Sequence, residues 1–272
     1  MRSVKIKEVI DALERFAPLP LQEEYDNAGL QVGLTEAEVS GALLCLDVTE
    51  RVVDEAITKG CNLIVAHHPL IFRKLSQVTD ANYVQRTVIK AIKNDIVIVA
   101  MHTNLDAAFG GVNFKIAEKL RLRDVRFFGR EKVVTNPLTD KKVTGGDGVI
   151  GCFDTPLAAD DLILLLKKEF DVECVQANEL LWREIRTVAL CGGSGSFLLQ
   201  DAINAGADAF ITGEMGYHEF FGHEQEIQLC VIGHYQSEQY TTEVLRDVIE
   251  RDCPGVKCCI SEINTNPIVY FS

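Results

Sequence analysis

Residues 41–68, GALLCLDVTERVVDEAITKGCNLIVAHH, lie without a gap over residues 187–214, TVALCGGSGSFLLQDAINAGADAFITGE. Leu44 and Cys45 match Leu190 and Cys191, Ala56 and Ile57 match Ala202 and Ile203, and Gly60 matches Gly206. Each copy reads as an apolar strand, a helix stopped by glycine, and a second apolar strand. Any two such units share apolar strands and helix-ending glycines. The ungapped register and the polar residues at equivalent strand ends, where His68 falls on Glu214, make duplication the better reading. The following strand repeats too: VAMHTNLD (99–106) matches VIGHYQSE (231–238), each with a carboxylate four residues after a histidine.

A chain built this way has few folds open to it. Strands alternating with helices make right-handed βαβ units. The expectation is therefore an α/β protein: two similar lobes from an internal duplication, with mixed or parallel sheets flanked by helices. Two such sheets would turn their carboxyl ends, where α/β proteins place ligands, towards a shared cleft. VQRTVIKAIKND reads as a helix and IVIVAMH (96–102) as the strand after it. Residues 129–156, rich in glycine, proline and turn formers, read as a linker carrying a hairpin. LAADDLILLLKKEF is helix-like and VECVQA strand-like, and the tail reads as a helix (QYTTEVLRDVIERD) and a closing strand (KCCISEIN) that returns to the first lobe. The expected boundaries are 1–128 plus 233–272 for the first lobe and 129–232 for the second.

Charge and cysteine content narrow the function class. The 27 Lys and Arg against 40 Asp and Glu argue against a nucleic-acid backbone binder, which needs a basic surface. The cysteines number nine, with no Cys-x-x-Cys spacing, and several sit inside apolar runs; they read as small buried hydrophobes in a reducing compartment. MRSVKIKEVIDALERF reads as an amphipathic helix rather than a signal peptide, and no apolar stretch is long enough to span a membrane. A cytoplasmic protein is expected.

The chain has six histidines, and His67, His68, His102 and His234 sit at or just past strand ends. With Asp106, Glu214 and Glu238 they form a nitrogen and oxygen donor set without thiolates, suited to Zn, Mn, Fe, Co or Mg. If a helix starts at His234, Glu238 leaves the same face and can reach the same ion. A single metal rarely needs more than three or four protein ligands, so this many donors imply two ions bridged by a carboxylate, a hydrolytic arrangement. His218 and His223, in GYHEFFGHE, read as an ordinary turn. CGGSGSF (191–197) joins a strand to a helix; its amides could cradle a phosphate, but it matches no phosphate-binding loop and a tight turn is the default. Pro69 ends the strand beside the histidine pair.

YDNAGLQVG (25–33), HHPLIF (67–72), HTNLDAA (102–108), LCGGSG (190–195), ITGEMGYHE (211–219) and GHYQSE (233–238) together resemble the NIF-three-like family, often called GTP cyclohydrolase I type 2 homologues. The resemblance spans nearly the whole chain. It implies a toroidal hexamer with a dinuclear site holding two divalent metal ions per subunit (Zn, Fe, Mn or Co) in the cleft between lobes. The ligands it implies are His67, His68, Asp106, His234 and Glu238, with Glu238 bridging. His102 and Glu214 match positions near the site, with proton-transfer or supporting roles. Asp26 and Asn27 match a loop near the cleft. Tyr25, Phe109 and Ser237 depart from the usual Trp, Pro and Thr, and none of these changes removes a ligand. The implied activity is a metal-dependent hydrolase acting on a small molecule, with a nucleotide such as GTP the named substrate. The alternative is a non-enzymatic metal-binding or regulatory hexamer that binds a protein partner.

Overall fold

The structure, a computed structural model, describes residues 3–271. In chain order its helices and strands are α1 (Ile6–Phe16), β1 (Gly29–Val32), β2 (Ala42–Cys45), α2 (Glu50–Lys59), β3 (Leu63–Ala66), α3 (Tyr83–Lys93), β4 (Val97–Ala100) and α4 (Thr103–Asp106). Then come α5 (Val112–Lys119), β5 (Arg123–Thr135), β6 (Lys142–Leu157), α6 (Ala159–Glu169), β7 (Gln176–Ala177), β8 (Ile185–Cys191), α7 (Leu199–Asn204) and β9 (Ala209–Thr212). The chain closes with β10 (Gln228–Val231), α8 (His234–Glu238), α9 (Thr241–Asp252) and β11 (Cys258–Ile260). Among the described residues, no helix is long and apolar enough to cross a membrane.

The chain forms two compact units, one of residues 1–105, 135–142 and 241–272, the other of residues 106–134 and 143–240. The first contains a mixed sheet in the order β1-β4-β3-β2-β11, parallel except for β1. Successive strand residues point to opposite faces. Leu43, Cys45, Ile64, Ala66 and Ile98 accordingly share one core with Val52, Val53 and Ala56 of α2 and Val88 and Ala91 of α3. On α1, Ile6, Val9, Ile10 and Leu13 recur at helical spacing and are buried, as the amphipathic reading requires. Thr49 caps α2 by accepting a hydrogen bond from the Val52 amide at 3.3 Å. Thr49→Ala is expected to lower unfolding stability by about 1 kcal/mol, read as a shifted denaturant midpoint with unchanged slope.

The second unit contains a mixed sheet in the order β5-β6-β8-β9-β10-β7. The hairpin expected in residues 129–156 is formed by β5 and β6, but it is built into the sheet rather than being a linker, since β6 pairs antiparallel with β8. Their glycines and turn residues hid an edge ribbon whose outer strand is mostly exposed. The ribbon's tip belongs to the first unit because buried Asn136 donates from Nδ2 to the carbonyls of Glu14 and Arg15, at 3.2 and 3.1 Å. VECVQA supplies only the two-residue β7. The chain crosses between the units at 105/106 and 240/241, where 128/129 and 232/233 were expected, and also at 134/135 and 142/143, either side of the ribbon's tip. Helix α5 packs on β8 and α8 packs on α5, which draws both into the second unit.

The repeat is visible in the pairing. Ala42 pairs with Leu63 as Val188 pairs with Ala209, and Cys45 pairs with Ala66 as Cys191 pairs with Thr212, at a constant offset. Gly60 and Gly206 close α2 and α7 with φ of 70° and 72°. Strands β1-β4-β3-β2 and β7-β10-β9-β8 share order and direction, including the antiparallel edge strand. The match changes by one residue at the ligand-bearing step. Met101 and Ile232 make equivalent bonds, to the carbonyls of Ala66 and Thr212, yet His102 follows directly while Gly233, at φ 95°, precedes His234.

Candidate metal centre

In the first unit, His67 and His68 follow the last residue of β3. His67 is fully buried, and its Nδ1 lies 2.8 Å from the Met101 carbonyl oxygen. A carbonyl only accepts, so Nδ1 carries the proton and the lone pair sits on Nε2. His68 donates from Nδ1 to Oδ1 of Asp47 at 2.8 Å. Burial works to raise the Asp47 carboxyl, but the His68 hydrogen bond and charge, with a hydrogen bond from Thr265, hold it below its ordinary value. His102, just beyond β4, donates from Nδ1 to Oδ1 of Asp26 at 2.7 Å. The Asp26 side chain is closed to solvent and also accepts from the Asn27 and Thr103 amides. Burial opposes its ionisation, yet these bonds, led by that of His102, bring its pKa down to about 2. His67, His68 and His102 each offer a ligand atom within 4.8 Å of the others'.

In the second unit, Asp106 ends α4, and His234 and Glu238 open and close α8. Their i, i+4 spacing puts both on one helix face, with Nε2 of His234 3.2 Å from Oε2 of Glu238. Ligand oxygens of Asp106 and the buried Glu238 lie within 4.8 Å of each other. His234 donates from Nδ1 to Oε1 of Glu214 at 3.0 Å, and Ser194 donates to Oε2 of Glu214 at 2.5 Å. The Ser194 bond, opposed by burial and aided by the His234 charge, lowers the Glu214 pKa.

The glycine string beside them makes room for this carboxylate. Gly193 stands at φ 58°, and a Cβ there would lie 2.3 Å from Oε1 of Glu238. Ser237 accepts from the Gly193 amide at 2.9 Å and donates to the His234 carbonyl at 2.8 Å, tying loop to helix. CGGSGSF is thus a tight turn shaped around Glu238, as its default reading had it.

Four histidines at three strand ends each place Nδ1 against a protein oxygen, which leaves Nε2 as the nitrogen for a metal. Three of those oxygens are carboxylates. This is how proteins orient histidine for a metal, and it fits a divalent ion of the borderline class. No thiol among the described residues joins these groups, and burial, reinforced by the nearby Asp106, Glu238 and Asp147 charges, raises the Cys191 pKa well above its ordinary value. Among the described residues, His218 and His223 join no such metal-holding group; His223 instead pairs with Glu226 at 2.9 Å. Sequence reasoning missed Asp47, Ser194 and Thr265. An aspartate ending an apolar strand was the one signal available, and strands end that way for many reasons.

The Duf34/NIF3 (NGG1p interacting factor 3) family model matches residues 4–267. A Clostridium perfringens protein described as a GTP cyclohydrolase 1 type 2 homolog is 33% identical over 271 residues, covering 98% of this chain and 100% of its own. A Clostridium acetobutylicum protein of the same description is 32% identical over 251 residues, covering 91% and 90%. Among solved structures, a hypothetical protein of Staphylococcus aureus superposes with a TM-score of 0.88 at 28% identity, covering 99% of this chain and 100% of that one. A Bacillus cereus protein related to NIF3 gives 0.86 at 25% identity over 100% of both chains. With the model matched almost end to end and relatives of this identity aligned over nearly their whole length, the chain belongs to the Duf34/NIF3 family.

Proposed function

We propose that this protein is a dinuclear metal-dependent hydrolase whose substrate is a nucleotide or related small molecule. The observation that carries the reading is the shared orientation of His67, His68, His102 and His234, each with Nδ1 held by a protein oxygen so that Nε2 is the nitrogen for a metal. The matching order and register of the two four-stranded halves support descent from one duplicated unit, each half supplying part of the ligand set. His102 and Asp106 lie four residues apart on one short stretch of chain, which supports joining the two ligand sets.

In this reading His67, His68, Asp106, His234 and Glu238 hold two ions among Zn, Fe, Mn and Co. His102, for which the resemblance implied a proton-transfer or supporting role, joins them here as a ligand, since it shares the geometry of its neighbours. Asp26, Asp47 and Glu214 fix ring orientation, so Glu214 acts through His234. Bound divalent ions supply Lewis acidity, which makes water nucleophilic near neutral pH. GTP enters as the substrate class because relatives are described as GTP cyclohydrolase 1 type 2 homologs. The toroidal hexamer belongs to the same family reading, while the cytoplasmic setting rests on the cysteine usage and the amphipathic N-terminal helix.

Elemental analysis of purified protein is expected to give about two metals per chain, the number a bridged pair requires. His68→Ala and Asp106→Ala should each lower that content, and unchanged content in both would overturn the ligand assignment. Metal-loaded protein assayed with GTP, phosphoesters and cyclic amides should turn over at least one. Metal loading with no turnover on the whole panel would leave a metal-binding assembly instead of a hydrolase.

A further inference from the structure

One segment of the first unit lies outside the family motifs yet touches the centre. After β11 the chain has no regular secondary structure, and hydrogen bonds fix its course. The Ser261 amide donates to the Leu44 carbonyl at 2.8 Å, and the Glu262 amide to Oε1 of Glu55 at 2.8 Å. Ile263 packs against the first core, and Oδ1 of Asn264 accepts from the Asn266 amide at 2.9 Å. Between these anchors stands Thr265, whose hydroxyl donates to Oδ2 of Asp47 at 2.6 Å. The other oxygen of the same carboxylate holds Nδ1 of His68.

We infer that Thr265 is a positioning residue of the metal centre, fixing the His68 ring through Asp47; this rests on the proposal that His68 is a ligand. The terminal torsion of aspartate is soft, so a carboxylate held by one oxygen can swing about it. Clamping the second oxygen removes that freedom. Threonine suits the task because its branched side chain is stiff at χ1. The clamp matters more for His68 than for its neighbour. His67 is fully buried and held by a backbone carbonyl, whereas the His68 side chain is 23% exposed, so packing does less to fix it.

Outer partners of metal-bound histidines are typically worth about 10–100-fold in metal affinity. One step further out, Thr265→Ala is expected to weaken Zn(II) binding about 3–10-fold, and Asp47→Ala about 10–100-fold. The measurement is a competition titration of metal-stripped, full-length protein with Zn(II) and a chromophoric chelator, with melting of the same samples to confirm folding. Thr265→Ser, which keeps the hydroxyl but loses the stiff branch, should bind more tightly than Thr265→Ala. The double variant should bind no worse than Asp47→Ala alone, because both act through one path. Wild-type affinity in Thr265→Ala, or losses that add in the double variant, would overturn the inference. His68→Ala separates the two ideas: unchanged Zn(II) affinity there defeats the ligand assignment itself, while a loss there with none in Thr265→Ala defeats only the clamp.

Discussion

Glu238→Gln should lose metal and gain stability at once. The carboxylate is 4% exposed, lies within 4.8 Å of Asp106 and sits 3.2 Å from His234. With the ion stripped, two carboxylates about 5 Å apart repel by roughly 3 kcal/mol at an effective dielectric of about 20, and the His234 imidazole offsets part of this. Glutamine keeps the shape and removes the charge. The metal-free variant should therefore melt a few degrees above metal-free wild type, by about 1 kcal/mol. In the presence of metal the order reverses, because the variant loses the ligand proposed to bridge both ions. Its metal affinity should fall by more than the roughly 100-fold seen when only an outer partner is removed. Paired melting curves, with and without Zn(II), test both signs. Equal metal-induced shifts in wild type and variant would remove Glu238 from the ligand set.

Gly193→Ala is the second large effect, and it acts without replacing a ligand. Its Cβ would enter 2.3 Å from Oε1 of Glu238 and 3.4 Å from Cε1 of His234, at a φ of 58°. The left-handed backbone alone costs an L-residue about 1–2 kcal/mol. The overlap then forces Glu238 or the loop to move, and metal content should drop as sharply as in a ligand variant. The repeat supplies the controls. Gly60 and Gly206 have similar φ, but a Cβ at either meets nothing within 4 Å. Gly60→Ala and Gly206→Ala should show only the backbone penalty and keep full metal content. Loss of metal in the controls as well would mean that general destabilisation, not the contact with Glu238, is being measured.

How much of this could be read from the sequence depended on distance along the chain. The repeat, its two helix-closing glycines and the strand-end histidines are local patterns, and the structure returns them in register. The i, i+4 relation of His234 and Glu238 needed only a helix to start at His234, and one does. What stayed hidden was set by partners far away. Asp47 gains its role from His68 and from Thr265, more than two hundred residues on. The β5–β6 ribbon looked like a linker because edge strands lack the apolar runs that mark central ones, and its turn residues broke the alternation. The extra residue at Gly233 was invisible for another reason: aligning the two histidines absorbs it, and only the hydrogen bonds of Met101 and Ile232 reveal the step.

The outermost strands bear on assembly. In the first sheet they are β1 and β11, four and three residues long; in the second, β7 has two. The long one, β5, carries Arg123, Asp124, Arg126, Arg130 and Glu131 exposed along it. Short or heavily charged borders are poor templates for an incoming strand. Neither sheet is suited to being extended from one subunit into the next. Borders of this kind favour contacts made by side chains over pairing of strands, and β3 and β4, which lead to three of the histidines, lie inside them.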